Sequence, residues 1–477
     1  MTSLWTSTVS LPEHPPLDGD CRTDIAVIGG GLTGVLTAWL LRREGAGTLL
    51  LESDRVGGGQ TAGTTAKLTA QHGLRYHRLT EALGRDTAQK YAKSQLEAVE
   101  WLRQLVKTEG IACDFRDCAA CLYATGDPAP LDAEYNACRD LGMEVYRAGD
   151  SELPFPAQVL GLRRQARFHP LKLVEHLARD LDIREGTRVL DVDGGRVLTD
   201  HGTVTAQQVV FACHYPFLNV PGFFFARMHQ ERSYVLALEG ATELADCYLG
   251  VDPGGLSLRS WGRFLLLGGG SHRTGDNQEG KKYNSLRQAA HQFWPGCREV
   301  TTWSAQDCVP MDGMPFIGRY TEHRPEWLVA TGFQKWGMTA AVTAARTLAA
   351  LALGRTPPKG TDIFSPSRFH GAASAGQLAE DAACSILGLS RRVLEPGRVD
   401  AEALSPGHGG VAELWGKKVG AYRDEGGTLH TVPLKCPHMG CQLEWNPDEK
   451  SWDCPCHGSR FDCRGRLLDG PAQTDLR

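Results

Sequence analysis

Four metal-binding side chains lie in two short clusters near the C-terminus of the chain. The first cluster reads Cys436-Pro-His438, and the second reads Cys454-Pro-Cys456-His457. Thiolates and neutral imidazoles bind iron and zinc, and a [2Fe–2S] centre held by two cysteines and two histidines has a higher potential than an all-cysteine centre. Zinc fingers usually group cysteine with cysteine, whereas each cluster here joins a cysteine to a histidine. The spacing therefore favours an iron–sulfur centre, and with it electron transfer, over a structural zinc.

The two clusters resemble the ligand motif of Rieske proteins. By this resemblance the iron ligands are Cys436, His438, Cys454 and His457. Cys441 and Cys456 match the two further cysteines that form a disulfide in the respiratory-complex type of Rieske protein. A disulfide beside a cytosolic cluster is unusual on redox grounds. Its persistence in the cell is a hypothesis that free-thiol counting of the anaerobically purified protein tests.

Two residues near the cluster motif bear on the reduction potential of the cluster. Ser459 matches a hydroxyl that donates to cluster sulfur in the family, whereas Phe461 stands where high-potential members often have a tyrosine. A hydrogen bond to a charged group contributes roughly 1.5–3 kcal/mol. The resemblance therefore implies a lower potential than that of the tyrosine-bearing relatives.

A glycine turn near the N-terminus is the second region with recognisable chemistry. An apolar run at residues 23–28 leads into the turn, helical periodicity follows at residues 35–43, and a second strand at residues 48–51 ends at Glu52. The glycines of the turn are Gly29, Gly31 and Gly34. Such glycines allow a tight turn, close approach of the backbone to a pyrophosphate and close helix packing, and the carboxylate suits ribose hydroxyls. This pattern predicts a dinucleotide site, for FAD or NAD.

Three other stretches resemble the D-amino-acid oxidase and glycine oxidase superfamily, at residues 56–69, 312–318 and 330–339. The resemblance implies that the dinucleotide is FAD. Beyond the glycine turn and Glu52, it places these residues around FAD: Gly59, Thr61, Thr65, Ala66, Gly332, Gly337 and Met338. Phe333 and Trp336 depart from the family pattern, which has smaller or polar residues there.

The same resemblance implies the fold class and the domain order. The fold is expected to be α/β (α+β), with a Rossmann-like FAD-binding domain, an inserted substrate domain on an antiparallel sheet, and a small all-β Rieske domain. Residues 1–370 form the oxidoreductase module, with FAD-binding segments near 20–80, 160–225 and 300–355 and substrate segments near 81–159 and 226–299. A connector at 371–390 and a Rieske domain at 391–477 follow.

Periodicity predicts several elements within these domains. Helices are expected at residues 81–107, 340–353 and 377–387, and strands at 232–238 and 263–267. Two strands around Asp424 to Gly427 form a predicted hairpin that leads to Cys436.

Composition and charge narrow the class of protein. The net charge of −5 over 477 residues, without a run of basic residues, argues against nucleic-acid binding. The N-terminus shows no export signal, and the longest apolar segment is too short to span a bilayer, so we expect a cytoplasmic protein without a membrane segment. Cys118 and Cys121 have the spacing of half a zinc site, but no second pair lies near, and they are interpreted as ordinary thiols.

Together the motifs resemble a family of bacterial FAD-dependent oxidoreductases with a C-terminal Rieske domain. The favoured function is oxidation of a small amine, imine or amino-acid-like substrate by hydride transfer to FAD, with electrons leaving singly through the cluster. The external acceptor or donor would be a protein, a quinone or O2. The alternative is an electron-transfer module that relays electrons between a protein or NAD(P)H partner and an acceptor, without its own small-molecule substrate.

Candidate catalytic residues follow from their place beside the predicted flavin segments. Lys67 is expected to supply a cation near the flavin, and Arg273 to pair bidentately with a substrate carboxylate. The further pocket candidates are Gln334, Lys335, His272 and Asp307. His72 and His77 have the spacing of an iron site, but Thr69 occupies the position where oxygenases have Asp or Asn, so they are interpreted as ordinary histidines.

Overall fold

The computed structural model describes residues 2–368, 390–391 and 399–476. The predicted helix at 377–387, and the predicted connector apart from residue 390, lie outside this part of the chain. The helices are α1 (Leu32–Arg43), α2 (Gln60–Gly63), α3 (Tyr76–Leu83), α4 (Arg85–Thr108), α5 (Ala129–Asp140), α6 (Pro170–Ala178), α7 (Lys282–Phe293) and α8 (Gly337–Ala352), with 3₁₀ turns at Phe224–Ala226 and Thr361–Phe364.

The strands of the first 368 residues are β1 (Cys21–Ile28), β2 (Thr48–Leu51), β3 (Lys67–Leu68), β4 (Arg116–Ala124), β5 (Val145–Ala148), β6 (Gln158–Arg167), β7 (Asp182–Arg184), β8 (Val189–Asp193), β9 (Arg196–Thr199), β10 (Thr203–Phe211), β11 (Met228–Glu239), β12 (Cys247–Gly250), β13 (Ser257–Trp261), β14 (Phe264–Arg273), β15 (Arg298–Pro310), β16 (Phe316–Thr321) and β17 (Arg324–Thr331). The C-terminal strands are β18 (Val399–Asp400), β19 (Gly409–Leu414), β20 (Lys417–Arg423), β21 (Leu429–Val432), β22 (Glu444–Asn446), β23 (Ser451–Asp453), β24 (Arg460–Asp462) and β25 (Leu467–Asp469).

A largely parallel sheet forms the nucleotide-binding half of the oxidoreductase module. Its order is β16-β17-β10-β1-β2-β7, and β8 and β9 extend it beside β10. The strands β17, β10, β1, β2 and β7 run parallel to one another, so their carboxyl ends meet at one edge. The residues that follow four of these strands at this edge are Gly29, Glu52, Ala212 and Gly332. This topology brings three of the predicted nucleotide-contacting residues together, namely Gly29, Glu52 and Gly332.

Helices cover the parallel sheet because its central strands are buried on both faces. The helix α8, almost wholly buried, packs against α1 and α4. The predicted helix at 81–107 is two helices, α3 and α4. They are separated at Gly84, whose φ of 83° is left-handed and interrupts the helical backbone.

The second large sheet has the order β15-β11-β14-β13-β12-β4-β6-β3, with β5 beside β6. Its pairs are antiparallel except for β12 and β4. This confirms the expected sheet domain, but its membership is wider than the predicted segments. Three strands that fell within predicted FAD-binding segments, β3, β6 and most of β15, belong to this sheet.

The C-terminal domain is built from two four-stranded sheets, β18 to β21 and β22 to β25. Its core contains Tyr422, Trp445, Trp452 and Phe461. The predicted hairpin is present, because β20 pairs with β21 and the Gly427 amide donates to the Asp424 carbonyl. In the described part of the chain the α/β fold with a small all-β domain is confirmed. None of the helices in the described residues is both long and apolar enough to cross a bilayer.

Candidate functional site

A cavity of about 680 Å³ lies at the carboxyl edge of the parallel sheet. One end is formed by the glycine turn, Glu52 and residues 187–189, and the other by residues 305–307, 332–335 and 337–338. Residues 466–473 of the C-terminal domain form part of the same wall. Cavities of about 300–1,000 Å³ are typical of cofactor sites.

The lining of the cavity fits an extended dinucleotide. Gly31, Gly59 and Gly337 all line it, and a Cβ added to Gly59 or Gly337 would meet no protein atom within 4 Å. A Cβ on Gly31 would meet only the Thr61 hydroxyl, at 3.4 Å. Bare backbone thus faces the cavity at these three glycines. Gly31 and Gly337 lie at the N-termini of α1 and α8, where helix amides and dipoles favour a phosphate or another anion.

Glu52 closes the end of the cavity beside β2. One carboxylate oxygen accepts from the Gly30 amide at 2.6 Å and the other from the Asp54 amide at 2.9 Å. Burial raises the pKa of Glu52 although these amides oppose the effect. The carboxyl group is thereby fixed at the position expected for a ribose contact.

The structure separates the predicted site residues into two groups. Those that line the cavity are Gly29, Gly31, Glu52, Gly59, Thr61, Gly332, Gln334, Lys335, Gly337, Met338 and Asp307. Those outside its lining are Gly34, Thr65, Ala66, Lys67, His272 and Arg273. Gly34 instead permits the helix to pack on the turn, because a Cβ there would lie 1.9 Å from the Gly29 carbonyl oxygen.

The cation at the far end of the cavity is Lys335 and not Lys67. The ammonium of Lys67 turns into the second sheet, where it donates to the Tyr248 carbonyl at 2.8 Å and to the Ser257 hydroxyl. Lys335 lies 3.2 Å from the Asp307 carboxylate and 3.3 Å from that of Glu231. Burial alone would lower the pKa of Lys335, but these two carboxylates raise it, so the group carries its charge at neutral pH.

His72 and His77 do not share an environment. His72 is buried, stacks on Trp336 and bonds to the Tyr91 hydroxyl at 2.8 Å, and burial lowers its pKa to about 3. The His77 side chain is partly exposed beside Glu81. These are the settings of a core histidine and a surface histidine.

The predicted cluster ligands converge in the loops before β22 and between β23 and β24. His438 Nε2 and the Asn219 side-chain oxygen are 2.7 Å apart, and His438 Nδ1 is buried without a hydrogen-bond partner among the described residues. Burial lowers the pKa of His438 to about 4, which keeps its ring neutral, as a metal ligand must be. The His457 ring lies edge-on to it, with centroids 4.9 Å apart.

The thiols complete a donor set suited to iron. A hydrogen bond from the Cys454 thiol lowers the pKa of Cys436, helped by the His438 amide and the Ser459 hydroxyl and opposed by burial. Cys441 and Cys456 are joined by a disulfide. The sulfurs of Cys441, Cys454 and Cys456 lie within 4.8 Å of one another, but the disulfide leaves only Cys454 of these three as a donor. The residues present fit a cluster held by two thiolates and two imidazoles.

Two glutamines join the cavity to the cluster loop. Gln306 lines the cavity, and its side-chain amide donates to the Gly458 carbonyl at 2.8 Å and to Gln230 at 2.7 Å. Gln230 in turn donates to the His457 carbonyl at 2.6 Å. The backbone of a predicted iron ligand is therefore two hydrogen bonds from a residue of the cavity wall.

A buried ion-pair network fixes the C-terminal domain against the second sheet. Arg232, which is fully buried, lies 2.7 Å from the Glu449 carboxylate and 3.7 Å from that of Asp469. Arg460 contacts both carboxylates from the other side, at 3.2 and 2.9 Å. Arg273, the predicted carboxylate binder, instead donates to the Pro455 and Cys456 carbonyls beside the cluster.

Sequence reasoning missed the residues of this interface, which include Asn219, Gln230, Arg232, Gln306 and Glu449. One signal was present, because the first half of β11 contains the polar run His-Gln-Glu-Arg, whereas its second half is largely apolar. Polar residues on both faces of a strand indicate a covered polar surface, but the sequence does not say what covers it.

Comparison with known proteins identifies the families of the oxidoreductase module and of the C-terminal domain. The family model described as FAD dependent oxidoreductase matches residues 24–351, and that of the Rieske [2Fe-2S] domain matches residues 399–477. The putative Rieske 2Fe-2S iron-sulfur protein YhfW of Bacillus subtilis is 35% identical over 494 residues, covering 100% of this chain and 97% of that protein.

Solved structures resemble the oxidoreductase module. Glycine oxidase from Geobacillus kaustophilus aligns with a TM-score of 0.63 at 18% identity, covering 73% of this chain and 99% of the other. L-amino acid deaminase from Proteus vulgaris aligns with a TM-score of 0.61 at 14% identity, covering 76% and 100%. The chain belongs to the FAD-dependent oxidoreductase family, and it carries a C-terminal Rieske [2Fe–2S] domain.

Proposed function

We propose that the protein oxidises a small amine or imine at FAD and transfers the electrons one at a time to its own Rieske cluster, for delivery to an external acceptor. FAD supplies hydride acceptance, and the cluster supplies one-electron transfer. The observation that carries the proposal is the contact of Gln306, a cavity residue, with Gly458 of the cluster loop.

The chain's own residues hold the reacting groups in place. Glu52 and the helix N-termini anchor the dinucleotide, and the charged Lys335 lies at the opposite end of the cavity, where it can stabilise negative charge on a bound ring. Asn219 holds the His438 ring so that Nδ1 is directed away from the hydrogen bond and is available to iron.

The partners of the nearby cations narrow the substrate class. A free amino acid needs a cation for its carboxylate, whereas Arg273 and Arg232 are engaged by the C-terminal domain and Lys335 is already paired with Asp307 and Glu231. Glycine oxidase and L-amino acid deaminase share the fold, which supports an amine-type substrate. We therefore favour amines and imines without an obligatory α-carboxylate.

Anaerobic mixing with a substrate panel tests this function. Primary and secondary amines, cyclic imines and the matching amino acids are mixed with the oxidised holoprotein while flavin and cluster absorbance are recorded. An active amine should bleach the flavin first and the cluster afterwards. Bleaching by α-amino acids alone would overturn the narrowed substrate class.

A second candidate function is an electron relay without a small-molecule substrate. This relay function is favoured because the Rieske domain covers polar residues of the second sheet, including Arg232, Gln230 and Arg273. If no panel member bleaches the flavin while NAD(P)H or a reduced ferredoxin does, the relay replaces the amine oxidation.

A further inference from the structure

A pair of thiols lies in the second sheet, outside the lining of the cavity. Cys118 on β4 and Cys247 on β12 have sulfur atoms 3.7 Å apart. The two strands pair in parallel, with Cys247 beside Ala120, and Cys118 lies two residues earlier on the same face. Cys247 is buried and Cys118 is partly exposed. This proximity was not predictable from the chain, because 129 residues separate the two cysteines.

Buried positive charge surrounds Cys247. Lys67 donates to the carbonyl of Tyr248, the next residue, and to the Ser257 hydroxyl, and neither partner carries a charge. Arg259 is fully buried, and within the described part of the chain its Nη1 donates to backbone carbonyls alone. Its Nε and Nη2 have no hydrogen-bond partner among the described residues. Buried cations of this kind need a counter-charge.

A thiolate at Cys247 would supply that charge. The hydrogen bond between the two sulfurs, together with Lys67, Arg259 and Arg167, lowers the pKa of Cys247, although burial opposes this. The pKa of Cys118 is raised by the same hydrogen bond, by burial and by Asp246, whose carboxylate accepts from the Ala119 amide at 2.7 Å. One thiolate and one thiol in contact are the reactants of disulfide chemistry.

We propose that Cys118 and Cys247 form a second redox site, a dithiol that hydrogen peroxide oxidises to a disulfide and that a cellular dithiol reduces again. The Cys247 thiolate attacks peroxide, so that an S–O bond forms, the O–O bond breaks, and hydroxide leaves. The Cys118 thiol then attacks the Cys247 sulfur, so that the S–S bond forms, the S–O bond breaks, and the departing hydroxide takes the Cys118 proton to become water. From one thiolate and one thiol the pair loses two electrons and one proton, and one peroxide becomes one water and one hydroxide, which solvent protonates.

This site is independent of the proposed substrate at FAD. It goes beyond that function, because neither thiol lines the cavity or belongs to the cluster. Cys118 is partly exposed, and its sulfur contacts that of the buried Cys247.

Thiol mapping of the full-length holoprotein tests the proposal. Reduced protein is treated with increasing hydrogen peroxide, remaining thiols are alkylated, and the peptides are identified by mass spectrometry. A peptide that links Cys118 to Cys247 should form first and disappear with dithiothreitol, while the partly exposed Cys21 and Cys297 stay reduced. If Cys21 or Cys297 is oxidised before any link between Cys118 and Cys247 forms, the proposal is overturned.

Variants then separate the two steps. In Cys118→Ser, peroxide should leave a sulfenic acid on Cys247 that dimedone traps, whereas Cys297→Ser should keep the link. Lys67→Met should slow alkylation of Cys247 at pH 5.5 by about tenfold for each unit by which its pKa rises. An unchanged rate in a variant with normal FAD and cluster absorbance would remove the thiolate from the mechanism. The mapping of the unsubstituted protein decides the proposal even if a variant fails to fold.

Discussion

Replacing Glu449 with glutamine tests whether the buried ion pair with Arg232 fixes the Rieske domain on the oxidoreductase module. Glu449 is only 14% exposed in its side chain, and Arg232 is fully buried. Glutamine keeps the shape of the side chain but leaves the Arg232 and Arg460 guanidinium groups with one carboxylate fewer. The expected result is loss of domain docking and a slower transfer of electrons between flavin and cluster.

The magnitude follows from the electrostatics of Glu449. Burial opposes its ionisation, but Arg232 and Arg460 overcome this and lower its pKa from 4.5 to about 2. At about 1.4 kcal/mol per unit, the carboxylate contributes about 3 kcal/mol at neutral pH. Breaking a buried ion pair from one side typically costs about 3–5 kcal/mol, which agrees.

The sign of the pH dependence is fixed by the lowered pKa. The stabilisation by the Glu449 carboxylate is fully present above pH 4.5 and is lost as the pH falls towards 2, because the carboxylate then becomes protonated in the folded protein. The same loss should not occur in Glu449→Gln.

Denaturant unfolding of the holoprotein, followed by tryptophan fluorescence and cluster absorbance, measures the change. Glu425→Gln is the matched control, because Glu425 pairs with Lys450 at the surface, with both side chains about half exposed or more. An exposed pair contributes at most about 1 kcal/mol. Combining Glu449→Gln with Arg232→Met should cost less than the sum of the two single changes.

If Glu449→Gln were no more destabilising than Glu425→Gln, the ion pair would not hold the domains together.

Three further substitutions test the cluster, the nucleotide turn and the bridge between them. Phe461→Tyr should raise the cluster potential by roughly 65–130 mV, because a hydrogen bond to the cluster of roughly 1.5–3 kcal/mol converts at about 59 mV for each tenfold change in the equilibrium constant. A redox titration that shows no rise would contradict the role assigned to position 461. Gly34→Ala should abolish FAD binding, because the added Cβ would lie 1.9 Å from the Gly29 carbonyl oxygen. The control Gly296→Ala should bind FAD normally, because open space surrounds that position. Equal FAD content in the two variants would refute the prediction. Gln306→Leu should slow cluster reduction by the flavin at unchanged FAD content, because it removes the contact with the cluster loop, and an unchanged rate would assign electron transfer to another route.

Elements with local signals were predictable from the sequence. The central parallel strands are buried on both faces, so β1 and β2 occur as short apolar runs, and their glycine turn and Glu52 follow directly. The hairpin before Cys436 was equally visible, because its turn residues are local. These elements place Gly29 and Glu52 at the same sheet edge, and that edge is the cavity.

Side-chain directions that depend on distant strands were not predictable. Lys67 lies close in sequence to the cavity residue Thr64, but it belongs to β3 of the second sheet, and its ammonium reaches Tyr248. Arg273 has the chemistry of a carboxylate binder, but carbonyls some 180 residues away in the Rieske domain take its hydrogen bonds. Only the packing of whole domains decides such partners.

We propose that FAD and the cluster exchange electrons within one chain, across the Gln306 contact. Flash reduction of the flavin in anaerobic holoprotein, with cluster absorbance followed at several protein concentrations, tests this exchange. Transfer within one chain requires a first-order reduction of the cluster whose rate constant does not change with protein concentration. A rate that rises in proportion to protein concentration, or a cluster that stays oxidised, would contradict it.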